Sequence, residues 1–259
     1  MTMYIYCTAC EKRLTIKDMY DFTRTYLSDV FVNLPSYVAI CNRIARLVPA
    51  FKALFEHVAM LNIEEEQELE IFSLMDSFPI ITCSSKRRAK VAREIVNKGY
   101  CSTKSMHYYG VKIHALARHK SGTLPIPESV IVTPASEHDG NVFKANWCNL
   151  VDRSFFADKI YQDALYQSIM KREYGSELLS PVKYPAYTPP EVKLRNKAAD
   201  DLYSRTVSSI RQPIESLFNW LIETTNIQRA SKIRSTSGLL SFIFGKLAAV
   251  FLMLKFFKP

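Results

Sequence analysis

The chain has 259 residues, 48% of them hydrophobic and 23% charged, with a net charge of +9 and only seven glycines. That composition excludes a disordered chain or a flexible linker protein, and is sufficient for one large domain or a core with a smaller helical domain. The charge favours a polyanionic partner, and both nucleic acid and an anionic membrane surface fit it.

The basic residues are unevenly placed. Ten Lys or Arg and one acid lie between Lys86 and Lys120, and six basic residues and no acid follow from Arg229 onward. Residues 1–68 carry seven basic and nine acidic residues, so charge does not mark this part for DNA. Cys7, Cys10, Cys41, Cys83, Cys101 and Cys148 are scattered. Only Cys7 and Cys10 are closely spaced and no second pair completes a zinc site, so they read as reduced thiols of a cytoplasmic protein. The N-terminus shows no signal-peptide pattern.

In chain order, residues 1–68 read as helical. Thr15-x-x-Asp18 opens one helix, Pro35 marks a boundary, and Glu64, Glu65, Glu66 and Glu68 read as a solvated face. The period then changes. EIFSLM (70–75) suits a buried strand that ends at Asp76, YYGVKIHALARH (108–119) alternates, and ESVIVTPA (128–135) is a third strand stopped by Pro134. Asp139 is expected to cap a helix running to about Cys148. RSFFAD (153–158) is a fourth strand, Asp163 and Gly175 bracket a helix, and SELLSPV (176–182) is a fifth strand. Thr188-Pro-Pro-Glu191 opens a long helical stretch to about Glu223.

GLLSFIFGKLAAVFLMLKFF (238–257) is long enough to span a bilayer. Lys246 near its middle would cost about 2.5–3.5 kcal/mol there. The segment is therefore read as a terminal helix buried against the domain, with Lys246 and Lys255 reaching outward along their stems. No stable membrane association is expected.

Three adjacent strands followed by alternating helices and strands imply a mixed sheet, an antiparallel meander extended by parallel strands. The fold expected is α/β: a ribonuclease-H-like mixed sheet of five strands with flanking helices, an N-terminal helical region and a C-terminal helix. The divisions fall at 1–68, 69–228 and 229–259. Ligands of open α/β sheets gather at the carboxyl ends of strands, where Asp76 and Asp158 both fall. Glu215 lies on the long helix. Converging carboxylates need cations to neutralise them, and hard oxygen donors suit Mg²⁺.

Each acid also has an ordinary explanation. Asp76 before Ser-Phe-Pro starts a turn, and Asp158 is a strand-end surface acid with Asp152 and Asp163 as rivals. Pro213 starts a new helix capped by Gln212, which makes Glu215 an N-terminal helix acid. Arg211 stands four residues before Glu215 and shares its face if the helix crosses Pro213.

MDSFPI (75–80), YYGVKIH (108–114), PASEHD (134–139), FFADKIY (155–161) and IRQPIESLFNWL (210–221) occur in the order seen in bacterial insertion-sequence DDE transposases. The chain resembles that family, most closely its group nine-eight-two, and NLPSYVAICNRIARL (33–47) resembles the group's N-terminal part. The resemblance implies a DNA transposase that cuts and joins element ends with Mg²⁺, for which Mn²⁺ substitutes. It assigns Asp76, Asp158 and Glu215 as the catalytic, metal-binding acids, and prefers Asp158 to Asp163 through the Ala-Asp-Lys-Ile-Tyr pattern.

DNA contacts are expected from Arg211, Lys86, Arg87, Arg88, Lys112 and Lys159. The partners expected are the element's terminal repeats, target DNA and a second copy in a homodimer, in the cytoplasm. Ser208 and Ile222 stand where related transposases carry Tyr and Lys around the third acid, so the phosphate contacts of those residues are not expected here. YIYCTAC reads as a helix interior, and the resemblance implies residues before Met1. The alternative readings are an inactive or truncated DNA-binding relic and a basic protein anchored in a membrane by its C-terminal segment. His114 and His138 are expected to be structural, and Trp147 and Trp220 to lie in the core.

Overall fold

The computed structural model describes residues 1–64, 71–86, 90–102 and 104–256. Glu65, Glu66 and Glu68, like Arg87 and Arg88, lie outside the described residues. Four helices come first: α1 (Thr2–Ala9), α2 (Ile16–Tyr26), α3 (Tyr37–Arg46) and α4 (Val48–Glu64). Thr15 caps α2, its hydroxyl accepting from the Asp18 amide at 3.2 Å. Ser36, directly after Pro35, caps α3 through the Ala39 amide at 3.3 Å. Each cap satisfies one of the amides that a helix start leaves without a partner.

The sheet has six strands: β1 (Phe72–Ser84), β2 (Asn97–Cys101), β3 (Met106–Arg118), β4 (Ile126–Pro134), β5 (Ser154–Phe156) and β6 (Glu177–Leu179). Between them lie α5 (Asp139–Asn146) and α6 (Ala164–Tyr174), and α7 (Pro190–Thr225) and α8 (Thr236–Phe256) close the chain. β1 pairs antiparallel with β3 and parallel with β5, and β5 pairs parallel with β6. β2 and β4 share the other edge of β3, β2 along Met106–Gly110 and β4 along Val111–Arg118. This is the mixed α/β sheet with flanking helices that the strand order implied.

Two details differ from the expectation. β2, read from Asn-Lys-Gly-Tyr-Cys, has no apolar alternation and carries a glycine, so its sequence gives no strand signal. β1 does not stop at Asp76 but runs eight residues further, through Pro79. A proline is tolerated there because of where its missing N–H would point. Two residues on, Ile81 exchanges backbone bonds with Gln228 and Ala230, on the edge of β1 away from β3. Pro79 has the same parity, so its nitrogen also faces that edge and no rung of the β1–β3 ladder is lost.

Alternation sorts β1 into two faces. Leu74, Phe78 and Ile80 join a large core shared by α1, α3, α4, α7 and α8. Met75 points the other way, into a second core with Phe143, Trp147, Phe155, Tyr161 and Met170. Gly110 on β3 marks the tightest approach in the sheet, since a Cβ there would lie 1.9 Å from the Ile80 carbonyl oxygen. Gly110→Ala is expected to cost about 2–4 kcal/mol by forcing β1 and β3 apart. Urea denaturation reads this directly, and an unchanged midpoint would contradict the register.

α8 is long and apolar enough to cross a membrane by length and composition, yet its middle, from Leu239 to Val250, is largely buried against other helices. Phe244 stacks on Phe55 of α4 at 5.6 Å, and Phe251 meets the same ring edge-on. Lys246 corrects the expectation of an outward-reaching side chain: it is 1% exposed. Its ammonium donates to the Thr225 carbonyl and lies 3.9 Å from the Phe242 ring centre. Lys255 donates to the Leu61 carbonyl at 3.3 Å. Thr225 and Leu61 stand in the last turns of α7 and α4, where helix carbonyls have no internal partner. Both lysines of α8 thus cap helix ends, where a cation is also favoured by the dipole.

Burial lowers the Lys246 pKa from its ordinary 10.5 to about 7. Between those values the unfolded chain binds a proton that the folded one does not, so stability rises with pH across that window and is lost as pH falls through about 7. The slope is at most about 1.4 kcal/mol per pH unit. Thermal melts between pH 7 and 9 should show the rise in the wild type and its absence in Lys246→Met. Parallel curves for the two proteins would contradict this.

Candidate active site

Asp76 stands between Leu74 and Phe78 on the face of β1 that packs against α7, so it is a carboxylate set in an apolar stripe. Phe78 meets Phe218 of α7 at 4.7 Å, and Val207, Ile214, Leu217 and Leu221 bury the same face of the helix. In the parallel ladder Leu74 is opposite Phe156, so the same register two residues later sets Asp158 beside Asp76. β5 has ended by then. Asp158 caps a single 3₁₀ turn, Lys159–Tyr161, its Oδ1 accepting from the Lys159 amide at 2.7 Å.

α7 runs unbroken through Pro213, so no new helix starts there and Gln212 caps nothing. Arg211 and Glu215 therefore stand one turn apart on one face. The Arg211 fork donates through Nη1 to Asp76 Oδ2 at 2.7 Å and through Nη2 to Glu215 Oε1. Asp158 adds its charge to the same guanidinium without touching it. Burial opposes the Arg211 charge, but Asp76, Glu215 and Asp158 together outweigh it and raise its pKa.

Asp76 behaves differently. Burial raises its pKa to about 6, against the opposing pull of Arg211 and of the Ser77 amide, which donates to Oδ1 at 2.8 Å. Its side chain is 23% exposed, that of Arg211 15% and that of Glu215 47%. The acid in the strand is the shielded one and the acid on the helix opens to solvent.

A second polar cluster lies on the opposite face of β3. Lys112 donates to Asp139 Oδ1 and to the Glu137 carbonyl, each at 2.9 Å. His114 stands 3.4 Å from Asp139 Oδ1 through Nδ1 and 2.8 Å from Thr133 Oγ1 through Nε2. Burial lowers the His114 pKa to about 4, so the ring is neutral at pH 7. Contrary to the expectation from sequence, Asp139 does not cap α5; His138 does, its Nδ1 accepting from the Gly140 amide at 3.1 Å. Asp139 is drawn instead to Lys112, the neighbouring cation on β3.

Tyr161 links the two clusters. It is buried, its hydroxyl has no hydrogen-bond partner among the described residues, and burial followed by the charges of Asp139, Asp76 and Asp158 raises its pKa. Sequence reasoning touched it only as the last residue of Ala-Asp-Lys-Ile-Tyr, and nothing in the sequence alone says that its hydroxyl is left unpaired beside the acids.

Of the residues singled out from the sequence, Asp76, Asp158, Glu215 and Arg211 come together. Lys159 is exposed and adjoins Asp158. Lys112 belongs to the Asp139 cluster, with its side chain only 16% exposed. Lys86 is exposed beyond the end of β1, and Ser84 there is already about 26 Å along the strand from Asp76. Trp147 is in the second core, its indole donating to Ser129 at 3.1 Å, and Trp220 is half-buried.

Among the described residues no three His, Cys, Asp or Glu side chains stand close enough to hold a metal ion as they are. The donor set nevertheless fits a hard cation. All three acids offer oxygen only, the donor type that hard cations take, and a guanidinium already neutralises two of them.

A ribonuclease-H-like sheet with one acid in a central strand, a second just beyond the end of the parallel strand beside it and a third on a helix packed across them is the arrangement of a class of nucleic-acid-processing proteins. The sequence model of the family described as Transposase DDE domain matches residues 68–252. The chain belongs to that family and is a DDE transposase of the insertion-sequence type. Such enzymes cut and join DNA and use divalent metal ions. No curated protein and no solved structure matches the chain.

Proposed function

We propose that the chain moves an insertion sequence by phosphodiester transfer at a two-metal site held by Asp76, Asp158 and Glu215, and that it stands closest to group nine-eight-two of these transposases. The observation that carries this is the Arg211 fork between Asp76 and Glu215, with Asp158 set beside Asp76 by the β1–β5 register. Four residues separated by up to 139 positions converge on one point, where three acids face a single guanidinium and leave an excess of negative charge for a cation to neutralise. Bound Mg²⁺ or Mn²⁺ would supply the Lewis acidity that activates the attacking oxygen and stabilises the leaving one.

The chain's own residues do the positioning. β1 holds Asp76 rigidly, since the strand continues on both sides of it. Glu215, the most exposed of these side chains, faces the incoming DNA. Arg211 turns its fork from the acids to a DNA phosphate, which it is shaped to hold in bidentate fashion. Lys159 neutralises a neighbouring phosphate, and Lys86, Arg87 and Arg88 extend the contact along the duplex, so binding falls steeply with salt. Attack by water and then by the freed 3′-hydroxyl needs no covalent link to the protein, and no Ser or Tyr nucleophile is assigned. The membrane-anchor reading is not favoured, because α8 spends its apolar surface inside the protein.

The test is strand cleavage of a duplex carrying the repeats that flank the gene. Cutting is expected with Mg²⁺ or Mn²⁺ and none with EDTA. DNA binding without metal-dependent cutting would replace this reading with that of an inactive relic.

A further inference from the structure

The first half of α7 takes no part in the site described. From Val207 onward the helix is buried against the sheet, but residues 190–206 are covered on one side only, by the segment leading into it. There the Val182 amide donates to Ser204 Oγ at 3.1 Å and the Tyr184 hydroxyl donates to Asp200. Helical periodicity puts Asp200, Ser204, Val207 and Arg211 on that covered face. The opposite face presents Glu191, Leu194, Arg195, Ala198, Leu202 and Arg205, all exposed. Leu194 is 70% and Leu202 69% exposed, a repeated apolar feature that a solvated helix face does not need.

We propose that this face docks a second copy of the chain, the two α7 helices lying antiparallel about a two-fold axis at Ala198. Residues equally far from Ala198 on either side then face one another. Leu194 meets Leu202, Arg195 meets Asp201, and Glu191 meets Arg205, each pair occurring twice because the contact is isologous. The small Ala198 side chain at the axis permits close approach of the helices. A parallel pair would instead set Arg195 against Arg195 and Asp201 against Asp201. Glu191, Asp201 and Arg205 form no ion pair among the described residues, so their charges are available.

DNA is the poorer occupant. Residues 190–206 carry four basic and three acidic residues around an apolar stripe, not a basic one. A contact about four turns long lies at the small end of specific interfaces, so a reversible dimer of roughly micromolar affinity is expected. This inference does not depend on the acids being catalytic. It does have a consequence for them: Arg211 is 13 residues from Ala198, about 20 Å along the helix, so pairing holds the two sites roughly 40 Å apart on one rigid support.

Sedimentation equilibrium of the full chain without DNA tests it, with circular dichroism to confirm folding; the substituted positions are exposed, so the fold should survive. The wild type should dimerise, and Leu202→Glu should weaken dimerisation by about tenfold or more. Arg195→Glu and Asp201→Arg should each weaken it, and the double variant, with the pair reversed but still complementary, should recover most of the loss. A wild type that stays monomeric at about 100 µM, far above a micromolar dissociation constant, would overturn the proposal. So would a dimer indifferent to Leu202→Glu, or a double variant no tighter than the singles.

Discussion

Asp76→Asn is expected to reduce metal-dependent strand cleavage by about a thousandfold or more while leaving the protein folded and able to bind DNA. The amide keeps the carboxylate's shape but has one oxygen for two donors, the Ser77 amide on Oδ1 and Arg211 on Oδ2, so one of these bonds is lost; β1 is held in place by its pairing with β3 and β5. What disappears is a negative charge from an apolar stripe, where its electrostatic effect is largest. Removal of preorganised charge stabilisation from a reacting centre typically costs about two to three orders of magnitude for a single hydrogen-bond donor. Loss of one of three anionic metal ligands should exceed that. The measurement is the rate of nicking under single-turnover conditions, with binding followed separately by anisotropy. A variant that binds normally and cuts at more than about a tenth of the wild-type rate would remove Asp76 from the chemistry, well short of the loss expected for a ligand.

The second large effect is on stability. Arg211→Met is expected to destabilise the protein by about 2–4 kcal/mol in the absence of metal, because it leaves Asp76 charged and without its partner in a mostly buried place. Glu215 adds little to this figure, since its side chain is 47% exposed and water replaces the guanidinium there. Arg211 is among the groups that pull the Asp76 pKa down against burial, so its removal should also push that pKa above its present value of about 6. Mg²⁺ should then recover part of the loss, because a bound cation again neutralises the acids and stabilises the folded state by mass action. Thermal melts of the wild type and the variant, each with EDTA and with Mg²⁺, give all four values. Equal destabilisation with and without Mg²⁺ would mean that the ion does not take over the neutralising role of Arg211.

The fold was legible where the hydrophobic period was strong and the caps were standard. Thr15, Asp163 and Gly175 announce the limits of their helices, and Gly175 does adopt the left-handed conformation that stops α6. β2 was not legible because its five residues are an edge strand set by pairing with β3, and nothing in Asn-Lys-Gly-Tyr-Cys asks for it. The end of β1 was misplaced for a related reason. A carboxylate and then a proline read as strand breakers, yet Pro79 sits on an edge without a full partner strand, and Asp76 points to an arginine 135 residues away.

Candidate acids follow the same logic. Asp76 and Asp158 were marked by their place after apolar runs, but local pattern alone left Asp152 and Asp163 as rivals to Asp158. The structure gives Asp163 to the α6 cap and to Lys144 at 2.6 Å. Asp152 has a left-handed backbone before β5 and lies at the other end of that strand. Lys246 was misread because a charge in an apolar helix is ordinarily expected to reach water. The open carbonyl at the end of α7 provided a partner that no sequence pattern displays.

The central claim is that three acids form one metal-dependent centre. The most direct measurement is single-turnover cleavage of repeat-bearing DNA by Asp76→Asn, Asp158→Asn, Glu215→Gln and the triple variant, side by side with Mg²⁺. If the three act as a unit, each single variant should fall to the same residual rate as the triple, because effects within one unit do not add. A single variant that keeps most of the wild-type rate, Asp158→Asn above all, would contradict the centre as drawn and return the search to the acids nearby.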